Sequence, residues 1–404
     1  ALPIFAGGPV RTITLSYDAE GNLLSNAYPG GRTVNYTYNA IELPQTLSDS
    51  NGTIATYSYF GPGRVERRDY GNGTRTSYTF DPLQRLTNLV ASVIATGTNL
   101  DARAFAWDAT HNLTAHNDLT PGAQDSRSYN HDSAQRLIRS VIAGMGTNGY
   151  TLDGANNRLT VTGGTMAGNY TLNPASPPAD YQMNQYTSTP FDTRTYNVNG
   201  NLTVASNVIG LRQFAYDYAN RLIGYSNSAT GVTVSNKFDC FGRRIEKVSN
   251  GVTNRFYFAG WQEIEEQDGA NVTVATYVWG DGIDELLSFD RGGQRYFAHA
   301  DQLGSVRKIS DANAAVLEQY NYDDYGTPSF FDDLGTPLPG TQIGNATLFT
   351  GRRYDPESGL YDYRTRFYDP AAGRFITRDS IGIWGDCGNL GNGYAYVRNA
   401  PTDL

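Results

Sequence analysis

Apolar and polar residues alternate along most of this chain. In Thr33-Val34-Asn35-Tyr36-Thr37-Tyr38, Val34, Tyr36 and Tyr38 fall on one face, and Thr33, Asn35 and Thr37 on the other. Arg75-Thr76-Ser77-Tyr78-Thr79-Phe80 repeats the arrangement. A two-residue period marks a strand with one buried or aromatic face. Between these runs a turn string recurs: an aromatic residue, Asp, two or three turn residues, Asn or Arg, then Leu. It is read in Tyr17-Asp18…Asn22-Leu23, Phe80-Asp81…Arg85-Leu86, Trp107-Asp108…Asn112-Leu113, His131-Asp132…Arg136-Leu137, and Leu152-Asp153…Arg158-Leu159. Tyr196-Asn197…Asn201-Leu202, Tyr216-Asp217…Arg221-Leu222 and Phe238-Asp239…Gly242-Arg243 continue it, with weaker copies at Tyr38-Asn39 and Phe60-Gly61. Successive copies start 20–27 residues apart except across one interval of 44, which predicts a degenerate copy near Tyr170-Thr171-Leu172-Asn173.

Each repeat of about 21 residues is thus predicted to be two strands and two turns, a hairpin-sized unit. Asp after the aromatic accepts backbone N–H groups in an Asx-type turn, and Gly supplies positive φ. Arg beside the Leu is expected to fork onto that Asp or to stack on a neighbouring Tyr. A single hairpin cannot bury its face, so consecutive hairpins are expected to stack into one long sheet.

Composition agrees. Aromatic residues make up 12% of the 404, with 29 tyrosines, and 44 residues are Gly. The net charge of −9 comes without a basic patch, which speaks against a nucleic-acid partner. No apolar run reaches the roughly 20 residues of a membrane-spanning helix. The chain begins Ala1-Leu2-Pro3-Ile4, without Met or signal peptide, and reads as an internal piece or a processed product.

Candidate chemistry is sparse. Cys240 and Cys387 are too few for a structural zinc site, and their pairing does not follow from sequence. His111, His116, His131 and His299 are scattered. Gly280-Asp281-Gly282 and Asp323-Asp324 lack the spaced oxygen ligands of a calcium loop. No nucleophile–base set or phosphate-binding loop stands out, and no cofactor or metal is implied. The repeat aspartates read as turn formers and the tyrosine stripes as packing, with a glycan- or cargo-facing aromatic lining as the alternative.

The aromatic-Asp-x-x-Gly-Arg/Asn-Leu string resembles the YD repeat of RHS proteins, teneurins and the shell component of insecticidal toxin complexes. His299-Ala300-Asp301-Gln302-Leu303-Gly304-Ser305-Val306 and Tyr322-Asp323-Asp324-Tyr325-Gly326 resemble the opening of the RHS repeat-associated core. The resemblance continues through Gly351, Tyr354, Asp355, Gly359, Leu360, Tyr363, Arg366, Tyr368, Asp369, Pro370, Gly373, Arg374 and Phe375. Tyr394-Ala395-Tyr396-Val397-Arg398-Asn399-Ala400-Pro401 closes it.

This resemblance implies an all-β fold: YD hairpins in a long spiralling antiparallel sheet, a cocoon or partial shell, with a C-terminal core as plug. Residues 1–255 would be the repeat array and 256–404 the core. The implied role is structural and encapsulating, in a secreted or cell-surface bacterial toxin-type protein that holds or presents a C-terminal cargo. The alternative is an adhesive, matrix or self-assembling surface protein that binds a glycan or cell-surface ligand.

In several relatives the core also cuts the chain just beyond itself, using two aspartates that resemble an aspartic protease dyad. Paired carboxylates share a proton, so one serves as base and the other as acid. Asp379, in Gly373-Arg374-Phe375-Ile376-Thr377-Arg378-Asp379, matches the first of these. Ser380 replaces the usual Pro, and Trp384–Asn389 is longer than usual. The second aspartate would fall just after Leu404, and Asp403 is out of register with it. The expectation is therefore no enzymatic activity here, and at most single-turnover self-cleavage in a longer parent.

Overall fold

A computed structural model describes residues 11–120, 125–144, 146–172, 183–382 and 387–402, with the Cys387 side chain left undescribed. Among them the regular structure is almost entirely strand. β1 (Thr14–Tyr17) to β15 (Gly168–Asn169) form one antiparallel sheet in chain order, each strand bonded to the next. β16 (Thr193–Tyr196) to β30 (Pro337–Leu338) form a second sheet of the same size. β31 (Arg353–Asp355), β32 (Leu360–Tyr363), β33 (Arg366–Asp369) and β34 (Arg374–Phe375) make a third, four-stranded sheet.

The expected single sheet is therefore two. The division falls in the 44-residue interval after β15, where, among the described residues, the isolated bridges Thr171↔Ser188 and Ser188↔Thr193 continue the pairing. Residues 173–182 lie outside the described residues, as does the end of the degenerate copy expected at Tyr170–Asn173.

The repeat string builds the same turn each time. Asp81 Oδ1 accepts Arg85 N at 2.9 Å, while Gln84 N donates to Asp81 O at 2.8 Å. The third residue after the Asp takes positive φ: Gly21 at 94°, Gln84 at 65°, His111 at 70°, Asn220 at 60°, Gly242 at 83°. A register shift just before the turn, as between Thr79 and Phe80, marks the bulge such a turn requires. The Arg of the string forks as expected, with Arg85 Nε 2.7 Å from Asp81 Oδ2. Where Asn replaces Arg it makes the same contact, Asn22 Nδ2 donating to Asp18 Oδ2 at 2.9 Å. Arg also reaches the next repeat: Arg85 Nη1 meets Asp108 O at 2.7 Å and Arg136 Nη1 meets Asp153 O at 2.6 Å.

The two sheets pack face to face. Leu89, Phe105, Leu113 and Leu137 of the first share a core with Tyr277, Phe289, Ile309 and Tyr320 of the second, and with Phe349, Tyr361 and Tyr368 beyond it. Tyr28 OH donates across the interface to Tyr277 O at 2.8 Å, and Lys308 Nζ to Leu100 O at 2.5 Å. Buried charges are matched in the same space. Asp324 accepts Arg127 Nη1 (3.0 Å), Ser140 Oγ (2.8 Å), Asn148 Nδ2 (3.0 Å) and Tyr150 OH (2.6 Å). A carboxylate taken out of water requires such a set of donors.

Candidate functional site: the C-terminal plug

Because strands alternate in direction, the Asp- and Asn-led turns at 153, 197, 217, 239, 301 and 323 lie on one rim of their sheets, those at Asp268, Asp311 and Asp332 on the other, and the C-terminal segment docks on the first. Tyr394 OH donates to Gly200 O at 2.6 Å, Asn392 Nδ2 to Ala155 O at 2.7 Å, and Asn399 Nδ2 to Asn156 O at 2.9 Å. Thr350 N reaches Ser305 Oγ at 3.0 Å, and Tyr361 OH reaches Gly326 O at 2.8 Å. Each acceptor belongs to, or ends, one of these turns. The plug thereby spans turns of both sheets.

The small sheet gathers the core-motif residues. Tyr354 and Asp355 lie on β31, Leu360 and Tyr363 on β32, Arg366, Tyr368 and Asp369 on β33, Arg374 and Phe375 on β34. Tyr368 stacks 4.3 Å from Tyr396 and donates through its hydroxyl to Tyr325 O at 2.8 Å. Pro370 opens the turn that Gly373 N closes onto its carbonyl at 3.2 Å. Gly351, Gly359 and Gly373 all have positive φ. Two of them also mark close approach: a Cβ on Gly351 would lie 1.9 Å from Asp284 O, and one on Gly373 would meet the Arg158 guanidinium.

Ion pairs clamp the plug to the second sheet. Asp369 pairs with Arg194 at 2.7 Å, and Asp355 with Arg244 and with Lys247, the latter at 3.1 Å. Burial alone would raise the Asp355 carboxyl, but Arg244 and Lys247 outweigh it and hold it well below the usual carboxylate range. Arg353 is shared between Glu263 (2.6 Å) and Glu266 (3.2 Å). Burial pushes Glu263 up to about 7 against the pull of Arg353. Glu266, also held by Arg291, falls to about 2 although burial opposes this.

Asp379 lies apart from that small sheet, in the loop after β34. Its backbone N donates to Gly393 O at 2.9 Å, and its Oδ1 accepts Ile381 N at 3.2 Å. Arg366 Nη2 holds Asp379 Oδ2 at 2.7 Å while its guanidinium stacks 3.6 Å above Phe375. Asp403 lies outside the described residues. Near the end of the chain, Pro401 and Thr402 are buried, Thr402 at 5% exposure. They line a small cavity with Asp125, Arg127 and Asp324, and Thr402 Oγ1 sits 3.4 Å from His131 Nε2.

Two plug-binding residues escape a simple reading of the repeat. In most copies the fifth residue after the Asp is an inward Leu, such as Leu86, Leu137 or Leu222. At two copies that slot holds Arg. Asn157, not Arg158, contacts Asp153 (2.9 Å), so Arg158 occupies the Leu position, one place from the alignment the sequence suggested. Its guanidinium lies 3.7 Å from the Tyr325 ring. Arg244 likewise follows Arg243 into the Leu position and pairs with Asp355.

Comparison with known proteins agrees with this architecture. The profile of the Teneurin YD-shell family matches residues 92–401. The tRNA nuclease WapA of Bacillus subtilis is 30% identical over 375 residues, 92% of this chain but 15% of that protein. Toxin protein Tse5 of Pseudomonas aeruginosa is 25% identical over 485 residues, 98% of this chain and 36% of that protein. A Photorhabdus luminescens Tc holotoxin pore superimposes with a TM-score of 0.76 at 18% identity, covering 98% of this chain and 21% of that one. The chain thus spans about one seventh of the first of these curated relatives and just over one third of the second.

Proposed function

The chain belongs to the YD-shell family of RHS/YD-repeat proteins, and from that membership we propose that it is the plugged end of an encapsulating shell. In this reading, residues 1–255 are repeat wall and 256–404 the core that closes it. The sheet itself runs on through this boundary, in the strand Val252–Ala259. The shell belongs to a secreted or surface-delivered toxin-type protein, and its partner is the polypeptide that follows the plug in the parent.

One observation carries the proposal. Pro401 and Thr402 are buried between the sheets rather than released at the surface, so a following segment starts on the inner side. In this reading Asp379, held by Arg366, is the first carboxylate of a cleavage pair completed in the parent. Intact mass of the parent protein beside its Asp379→Asn variant tests this reading. Two fragments from the parent and one from the variant are expected. A single uncut chain from both removes the cleavage step and shifts weight to an adhesive role.

That second reading has its own support. On the turn rim of the second sheet, Val198 (94% exposed), Tyr218 (92%) and Phe241 (67%) occupy successive turns. Apolar tips in a row suit contact with a surface or with another copy. Both readings use the same wall.

A further inference from the structure

Where the plug meets the rim of the second sheet, a pocket of about 60 Å³ opens beside the turn 280–285. A water needs roughly 10–15 Å³ of such space, so the pocket takes the end of a side chain rather than a whole molecule. Arginines outnumber carboxylates in its lining by five to three. Arg352 and Arg364 share one carboxylate, Asp284, at 3.3 and 2.7 Å. Arg353 Nε and Arg364 Nε are shut off from solvent, and neither has a hydrogen-bond partner among the described residues. Buried donors without acceptors favour an incoming anion. We propose that this pocket takes the carboxylate of an acidic residue in a segment of a partner protein, whose apolar side chains lie along the rim.

The rim supplies the apolar half of the site. Phe241 (67% exposed), Trp261 (46%) and Ile283 (85%) are the tips of successive turns on this side of the sheet. Trp261 also lines the pocket, with the Arg364 guanidinium 5.9 Å from its ring. Turns on one rim are two strands apart, roughly 10 Å, so the three tips span about 20 Å. A polyproline II segment rises about 3.1 Å per residue with three residues per turn. Every third side chain of such a segment therefore faces the row, at about 9 Å spacing, with an acidic residue free to enter beside Trp261.

Backbone and charge set aside other occupants. The strands behind these turns are bonded on both sides, so a peptide that adds to a sheet edge finds none here. The chain carries a net charge of −9 without a basic patch, so a nucleic-acid backbone finds no cationic track. One carboxylate needs only the pocket.

Calorimetric titration of the 404-residue chain with capped nonapeptides tests the proposal. Each carries leucine at positions 2, 5 and 8 and one glutamate, scanned through the other positions. At least one should bind, and its glutamine counterpart should bind about tenfold more weakly, the loss of a charge-assisted hydrogen bond. Trp261→Ala and Arg364→Gln should each weaken binding to a similar degree. Val208→Ser, at an exposed apolar tip on the opposite rim, should leave it unchanged. Trp261 is half-exposed, so an unchanged melting curve for Trp261→Ala keeps the test decisive even if Arg364→Gln loosens the plug. No binding of any peptide at millimolar concentration overturns the proposal. So does equal binding of the glutamine counterpart, binding indifferent to Trp261→Ala, or a phosphoserine series that binds where no glutamate peptide does. The site draws on the exposed rim of the adhesive reading but not on encapsulation, so peptide binding and parent cleavage can fail separately.

Discussion

Arg221 Nη1 donates to the backbone carbonyl of Asp239 at 2.9 Å, reaching from its own turn into the next. Its Nε meanwhile holds Asp217 Oδ2 at 2.7 Å. One guanidinium therefore closes a turn and fixes its spacing to the neighbour, and the same device recurs at Arg85, Arg136 and Arg243. A lysine carries charge but no fork. Arg221→Lys should keep the ion pair, lose the inter-turn bond and cost about 1 kcal/mol, read as a lower urea midpoint at unchanged slope.

The left-handed position of the turn separates two contributions to glycine's role. Gly335 and Gly326 hold equivalent places, each the third residue after an Asp, with φ of 83° and 96°. A Cβ at Gly335 meets nothing within 4 Å, whereas one at Gly326 would fall 2.4 Å from the Phe349 ring. Gly335→Ala should cost about 1 kcal/mol from backbone conformation alone. Gly326→Ala should cost about 2–4 kcal/mol, because the plug must shift as well. Equal losses in thermal melts of the two variants would contradict this assignment.

Arg244 gives a test in which restoring the repeat pattern does harm. Leu is the usual residue in its slot, yet Arg244→Leu leaves the buried Asp355 with Lys247 as its remaining ion-pair partner among the described residues. The variant should lose about 3 kcal/mol or more, and protease should cut the plug before the wall. A neutral or stabilising effect would mean that this pair does not hold the plug.

His299 makes the wall sensitive to acid. It is buried at 1% exposure, its Nε2 lies 2.8 Å from Ser310 Oγ, and its Nδ1 has no partner. Burial pushes its pKa from the usual 6.5 down to about 4. The folded state thus favours the neutral ring, so its contribution is intact above pH 6.5 and is lost as pH falls towards 4. His299→Gln should flatten the fall in urea midpoint between pH 7 and pH 4.5, compared with the parent measured in parallel.

Most of the wall was legible in the sequence because the turn is local: Asp, a left-handed residue and Arg or Asn stand within five positions of one another. The alternation at Thr33–Tyr38 gave the buried face in the same way, with Val34 fully buried and Asn35 and Thr37 exposed. What could not be read was long-range. Asp324 looks like part of an acidic doublet, yet its four donors lie 174 to 197 residues away. Arg158 and Arg244 were legible only as departures in the Leu slot, and the misplacement of Arg158 by one residue concealed the first. The plug motif was recognisable, but its docking on the turn rim follows from Tyr394, Asn392 and Asn399 meeting carbonyls 194 to 243 residues upstream.

The central claim is that the polypeptide following Thr402 lies inside the wall. The most direct measurement is timed limited proteolysis of the natural full-length protein, with intact mass at each point, beside the downstream segment expressed alone. The account predicts that the segment survives within the shell long after the isolated segment is digested, and that Arg244→Leu shortens that protection. Digestion of the attached segment at the rate of the free one, while residues 14–402 stay intact, would contradict it.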